Sequence, residues 1–274
     1  MPVYNGEAFL REALNSLVAQ TFVDFELIIS DNASTDATEA ICREYAARDE
    51  RIRYVRQPDN KGAEANFQFV LDASLCEYFM WAGADDVWDV RWIERLMQAY
   101  RDNAALTFGR VAAMDEMGKI IRSYRNLEFS GGQTARSLRF IFQDEFEGKA
   151  NLIYGLMRTD MLREILDTFP LGSELFSDVS LVYSILQRGG IVTVQDTMLY
   201  KRYGGLSVQM ASQFSLYHYL TASYLLPYYI RYVRRTENQW LRALILTSIP
   251  FLFMKANFHR LKRVMMRTMR KTSR

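Results

Sequence analysis

Cysteine and histidine are scarce in this chain, with two of each among 274 residues. Cys42 and Cys76 fall in helical patterns without CxxC spacing, which predicts buried free thiols rather than a disulfide or a thiolate metal site. His218 and His259 both sit in the carboxyl third, apart from any cysteine or paired acid, and read as packing or surface residues. GxGxxG, GxxxxGK[ST] and GxSxG are all missing, which removes the signatures of dinucleotide, P-loop and α/β-hydrolase chemistry. A pyrophosphorylase of sugar nucleotides would need a Gly-rich loop carrying Arg and Lys near its start, and "PVYNGEAF" has no basic residue. The apolar run "ALILTSIPFLFM" (243–254) is interrupted by Pro250 and falls short of the about twenty residues a bilayer-spanning helix needs. Residues 1–20 read as a turn and an amphipathic helix rather than a secretory leader, so the body of the protein is expected in the cytosol.

What is present is a large apolar complement and a divided charge. Hydrophobic residues make up 49% of the chain, enough for a sizeable core. The net charge of +2 is uneven: from residue 227 onward twelve Lys and Arg face the single acid Glu237, so this tail carries +11 and the remainder −9. Such a split points to an anionic partner surface for the tail. Leu10, Ala13, Leu14, Leu17 and Val18 follow the i, i+3, i+4, i+7 rule and predict a helix over 7–20. "FELIIS" (25–30) and "RIRYV" (51–55) predict strands, and the segment after the first predicts a helix capped by Ser34 or Thr35. "GAEANFQFVLDAS" (62–74) reads as a third helix, "YFMWA" (78–82) as a third strand, and "DVRWIERLMQAYRD" as the next helix. This alternation predicts an α/β fold with a mixed, mostly parallel sheet covered by helices on both faces.

In such folds ligands bind beyond the carboxyl ends of the strands. Asp85 and Asp86 fall there, after the small residues Ala82, Gly83 and Ala84. Two adjacent carboxylates at that place suit Mg²⁺ or Mn²⁺, which take one or two protein carboxylates and complete their shell with phosphate oxygens and water. A helix-capping role for the same pair is the alternative.

The ordered set "PVYNGEAFLREALNSLVAQTFVDFELIISDNASTD", "NKGAEANF" and "EYFMWAGADD" resembles the nucleotide-sugar domain of family-two glycosyltransferases of the GT-A fold, closely over residues 1–115 and more loosely over 150–205. The resemblance implies that Pro2, Tyr4 and Asn5 border the nucleotide and that Asp31 and Asn32 face its base. It implies Asp85 as the ribose-side acid and Asp86 as the metal ligand. Two departures stand out. Asn32 replaces a common second acid, and Gly83 stands where the family usually has a further acid, two positions before Asp85. The family's first strand, a β-branched stretch ahead of the Pro-x-Tyr-Asn turn, would lie before Met1, so either the chain is read from too late a start or the sheet carries a gap.

In the second half "NLIYGLMRTDMLREIL" and "ELFSDVSLVYSILQRGG" resemble the acceptor side, which implies Asp178 as the base. A carboxylate in the first turn of a helix is stabilised by the macrodipole; a purely structural first-turn role is the alternative. In "YKRYGGLSV" (200–208) the resemblance implies a phosphate contact from Arg202, with Tyr203 where a histidine is common, and Gly204–Gly205 permit a mobile lid. The glycine pairs 131–132 and 189–190 read as turns. In the tail, Phe258, Leu261, Val264, Met265 and Met269 share one helical face, with Arg260, Arg263, Arg267, Arg270 and Lys271 on the other side, a pattern for lying on an anionic membrane. Nucleic acid is not expected, since no recognised binding module accompanies the charge. The division expected is 1–115 for the nucleotide sugar, 116–210 for the acceptor and 211–274 as a membrane-associating tail. The function implied is metal-dependent transfer, with inversion, of a sugar from a nucleoside diphosphate sugar, UDP-sugar favoured, to a lipid-linked or polysaccharide acceptor. It would take place on the cytoplasmic face of the cell membrane. The alternative is a noncatalytic nucleotide-sugar or membrane-binding protein with a decayed site.

Overall fold

A computed structural model describes residues 1–101, 103–144, 147–172, 176–203 and 225–272, with side chains as far as 255. Three parallel strands open the chain: β1 (Pro2–Val3), β2 (Leu27–Asp31) and β3 (Ile52–Arg56), adjacent in that order. Every residue of β2 is buried, as expected for a strand covered on both faces. The intervening helices are α1 (Leu10–Val18), α2 (Thr38–Arg48) and α3 (Ala63–Ala73). α1 buries Leu10, Ala13, Leu14 and Leu17, the stripe its sequence predicts. α2 starts at Thr38, later than either expected cap, and both direct their hydroxyls to the turn after β1: Ser34 Oγ accepts from the Asn5 amide at 2.9 Å and Thr35 Oγ1 donates to Asn5 Oδ1 at 3.4 Å. Cys42 is buried as expected, but Cys76 is exposed, since α3 ends at Ala73 and the thiol falls in the following turn.

The expected strand over 78–82 shrinks to β4 (Tyr78–Phe79), paired antiparallel with β8 (Met157–Arg158). Trp81 explains part of this. Its ring is buried and its indole N–H donates to the Phe67 carbonyl at 3.1 Å, which pulls the chain out of the ladder. On the other flank lies a cavity of about 440 Å³ lined by Met1, Leu27, Ile28, Phe79, Met80 and Ala82 among others. The β1–β2 register sets Pro2 opposite Ser30, so a backward projection of β1 runs beside Leu27 and Ile28. The Met1 amine donates to the Ile28 carbonyl at 2.7 Å, and burial drives its pKa down to about 5.

The other sheet joins the two halves of the chain. β6 (Ala104–Met114) runs parallel to β9 (Gly190–Arg202); β5 (Val87–Trp88) flanks β9 and β7 (Ile120–Ser123) flanks β6, both antiparallel. Helices α4 (Trp92–Ala99), α5 (Gln133–Phe142), α6 (Thr159–Thr168) and α7 (Ser177–Arg188) pack around it, with a 3₁₀ turn over Lys149–Tyr154. α7 is buried without a break from Val179 to Leu186, so it forms the centre of the second half. Two further helices, α8 (Leu225–Arg234) and α9 (Gln239–Thr272), follow. Tyr228 and Tyr232 of α8 meet edge to face at 4.7 Å, and the Tyr232 ring lies 4.6 Å from that of Tyr183 in α7. Gly204, Gly205, His218 and the side chains of His259 and of the predicted tail face (Phe258, Leu261, Val264, Met265, Met269 and the accompanying basic residues) lie outside the described residues.

Candidate active site

The turn after β1 is tied to the loop after β2. Asn5 stands at φ 49°, a left-handed conformation that Asn tolerates, and its Oδ1 accepts from the Thr35 amide at 2.9 Å. Glu7 and Asp36 exchange bonds across the same gap, Glu7 N to Asp36 Oδ2 at 3.1 Å and Ala37 N to Glu7 Oε2 at 2.8 Å. Pro2 is buried beneath this lacing, and Tyr4 is exposed at its rim. Asp31 is buried, with Oδ1 accepting from Ser34 N at 2.8 Å and Oδ2 from Tyr54 OH at 2.9 Å and Arg56 Nη1 at 2.8 Å. Asn32 binds the loop before α3, donating to Asn60 Oδ1 and the Gly62 carbonyl and accepting from Lys61 N. Both side chains expected to face a base are therefore engaged in shaping their own loops.

Asp85 and Asp86 lie against this turn: a Cβ placed at Gly6 would be 3.8 Å from the Ala84 Cβ. They do not cap α4, which starts at Trp92 with β5 intervening. Their environments differ sharply. Asp86 is fully buried, its Oδ2 accepting from Lys201 Nζ at 2.7 Å and its Oδ1 from the Arg202 amide at 3.2 Å. Asp85 is half-buried, and among the described residues nothing hydrogen-bonds its carboxylate. Gly83 permits this packing, since a Cβ there would lie 2.4 Å from Asp86 Oδ2. The Asp86 carboxylate thus fills the space a side chain at 83 would need.

Arg202 is not free to reach into the site. Its guanidinium donates to the carbonyls of Asp85 (3.1 Å), Asp115 (3.1 Å) and Glu116 (3.0 Å), pairs with Glu12, and lies 4.2 Å over the Phe9 ring. It fixes the backbone of the acidic loop. The cation that faces the acids is its neighbour Lys201, which sequence reasoning missed. Successive residues of a strand point to opposite faces, so only one of the two could face the acids, and nothing in "YKRY" says which. Lys201 Nζ also stands 4.0 Å over the Tyr154 ring. Burial alone would lower its pKa, but Asp86, Tyr154 and Asp85 outweigh that and hold it as an ammonium above its usual value. The Asp86 carboxyl is itself pushed above its ordinary range by burial, against the pull of Lys201.

Asp178 lies in the first turn of α7, half-buried, its Oδ1 accepting from the Val179 amide. The residue ahead of the helix is Phe176 at φ 61°, and Ser177 Oγ accepts from Gly172 N instead of capping. Burial raises the Asp178 carboxyl above its usual range, while the Val179 amide and then the charges of Lys201 and Arg231 pull it back. Lys201 therefore acts electrostatically on Asp85, Asp86 and Asp178 together. A divalent ion fits this donor set. Among the described residues no group of three or more His, Cys, Asp or Glu converges, but one unbonded carboxylate beside a second is what a phosphate-assisted Mg²⁺ or Mn²⁺ site uses.

Comparison with known proteins gives this geometry a context. The model of Glycosyl transferase family 2 matches residues 1–163. The putative glycosyltransferase EpsH of Bacillus subtilis is 28% identical over 63% of this chain and 50% of its own length. The glycosyltransferase GlyA of Streptococcus pneumoniae is 36% identical over 35% of this chain and 13% of its own. An uncharacterised Mycobacterium tuberculosis protein is 46% identical over 31% of this chain and 25% of its own, so the chain aligns with half or less of each of these relatives. Among solved structures, S. aureus TarS with UDP-GlcNAc superposes with a TM-score of 0.67 at 16% identity, covering 94% of this chain and 71% of that one. The Pyrobaculum calidifontis mannosyltransferase PcManGT with GDP-Man and Mn²⁺ gives 0.58 at 14%, covering 96% and 72%. These neighbours share the GT-A arrangement of a mostly parallel sheet and flanking helices. With a family match over more than half its length and carboxylates gathered at the expected strand ends, the chain belongs to glycosyl transferase family 2.

Proposed function

We propose that the protein transfers a sugar from a nucleoside diphosphate sugar, with UDP-sugars favoured, to a glycan or lipid-linked acceptor, inverting the anomeric centre. The observation that carries this reading is the acidic pair at the strand end, Asp86 bound to Lys201 at 2.7 Å with Asp85 beside it, and Asp178 within electrostatic reach of the same ammonium. Residues 1–115 would hold the donor, with Pro2, Tyr4 and Asn5 bordering the nucleotide and Asp31 and Asn32 shaping the base-side loops. Residues 116–210 would present the acceptor. In a single displacement the acceptor oxygen attacks the anomeric carbon as the bond to the diphosphate breaks. Asp178 takes the hydroxyl proton, and burial suits it to the task, because a carboxylate of raised pKa is a stronger base. Asp86 would hold Mg²⁺ or Mn²⁺, with Asp85 beside it on the ribose side, and the ion would supply charge neutralisation to the leaving diphosphate. The PcManGT structure with GDP-Man and Mn²⁺ and the TarS complex with UDP-GlcNAc support this choice of ligands.

Calorimetric titration with uridine, guanosine and thymidine diphosphates plus Mn²⁺, followed by turnover across a donor and acceptor panel, tests the reading. Binding of at least one nucleotide, with transfer lost in Asp178→Asn, is expected. Binding without turnover across the panel favours a noncatalytic nucleotide-sugar protein, and transfer retained in both Asp178→Asn and Asp86→Ala removes the residue assignments.

We further propose that residues 211–274 attach the enzyme to an anionic membrane surface from the cytoplasmic side. No helix among the described residues is long and apolar enough to cross a membrane. α9 buries Leu241, Ile245 and Leu252, yet Trp240, Leu244 and Met254 are exposed on an adjoining face. An apolar face left exposed calls for cover, and the lack of any acid from residue 239 to the end favours anionic headgroups. Trp240 is 88% exposed while Trp81, Trp88 and Trp92 are buried, so it alone should respond to lipid. Vesicles containing phosphatidylserine are expected to shift its fluorescence to the blue, with no shift in Trp240→Phe or with neutral vesicles; an unchanged spectrum in the wild type counts against attachment.

A further inference from the structure

The cation at the acidic pair is part of the protein. Lys201 Nζ sits 2.7 Å from Asp86 Oδ2, and the other Asp86 oxygen accepts from the Arg202 amide. Both oxygens of the fully buried carboxylate are thus engaged. The carboxylate is folded back over Gly83, into space that a side chain there would fill. The Tyr154 ring, 4.0 Å from the ammonium, provides a neutral shelf for it. The Lys201 side chain nonetheless keeps 21% of its surface exposed, and its four-carbon stem is flexible. A divalent ion and an ammonium cannot both sit on Asp86 without close repulsion between like charges. A diphosphate arriving at the exposed side of Lys201 offers the ammonium a stronger anion.

From this we infer that Lys201 is a placeholder cation: it occupies Asp86 in the empty enzyme, and an incoming diphosphate draws it away and frees Asp86 for the divalent ion. Metal binding at Asp86 is then conditional on the donor, so the site does not charge with metal by itself. The inference rests on the nucleotide-sugar reading for the identity of the diphosphate, whereas the occupancy of Asp86 can be probed without any nucleotide.

Mn²⁺ binding followed by electron paramagnetic resonance, on the full chain without nucleotide, is the test. Lys201→Met is expected to bind Mn²⁺ at least tenfold more tightly than the wild type and to gain more in melting temperature from Mn²⁺ than the wild type does. Unchanged or weaker Mn²⁺ binding in Lys201→Met overturns the proposal. Should that variant fail to fold, Asp86→Asn decides. It is expected to leave nucleotide-free Mn²⁺ affinity unchanged and to weaken it once UDP, or the nucleotide that binds best, is present. A weakening already seen without nucleotide overturns the placeholder role. If no nucleoside diphosphate binds at all, the proposed function fails, and the nucleotide-free arms still decide whether Lys201 blocks Asp86.

Discussion

Asp178→Asn is expected to lower kcat by about 10²- to 10⁴-fold, the range typical of removing a general base, with donor affinity nearly unchanged. A loss confined to the rate marks a group that acts in the transition state, and single-turnover measurement beside calorimetry separates the two. The raised carboxyl predicts the pH dependence. Because Asp178 must be ionised to accept a proton, the wild-type rate should fall on the acid side with a midpoint above the ordinary 3.8. Stability has the opposite sign. A folded-state pKa above the unfolded value means that the native protein binds the proton more tightly, so stability declines as pH rises from 3.8 through the folded value and stays lower above it. At neutral pH Asp178→Asn should therefore melt at or above the wild-type temperature while losing activity. A variant that loses both would mark Asp178 as structural.

The largest stability effect is expected at Asp86. Asp86→Ala leaves the Lys201 ammonium inside the protein without its counter-charge, and breaking a buried pair in this way costs about 3–5 kcal/mol. For a chain of this size that corresponds to a fall of roughly 10 °C in Tm, measurable by calorimetry and by urea denaturation. Lys201 carries a folded pKa raised above 10.5, so its contribution is fully present below 10.5 and is lost only as pH rises through the folded value. The deficit in Asp86→Ala should accordingly persist across neutral pH. A shift under ~1 kcal/mol, the usual limit for an exposed pair, would show that solvent already screens Lys201.

The elements the sequence revealed are those whose signal is local. α1 and α3 carry their burial in a stripe of one helical period, and β2 in an unbroken apolar run. The acid pair was legible because the strand ahead of it said where the chain turns toward the ligand. What stayed hidden depends on contacts distant in sequence. β5 pairs with β9 across more than a hundred residues, Val87 opposite Tyr200, and that register is what sets Asp86 beside Lys201. The loss of Met80, Trp81 and Ala82 from the strand was invisible for a related reason: Trp81 looks like a strand residue until Phe67 supplies an acceptor for its indole. The resemblance implies base-facing roles for Asp31 and Asn32, and the hydrogen bonds by which they also tie their loops involve partners that their own turns do not reveal.

The hollow beside Leu27 and Ile28 bears on how this protein is handled. A polar affinity tag joined to Met1 would be led by the register of β1 into a hollow lined mostly by apolar side chains, and lower yield of folded material is the expected result. Four or five β-branched residues in the same place would turn a buried amine into an amide and line the hollow with hydrocarbon, raising the melting point by about 5 °C or more on ordinary burial energies.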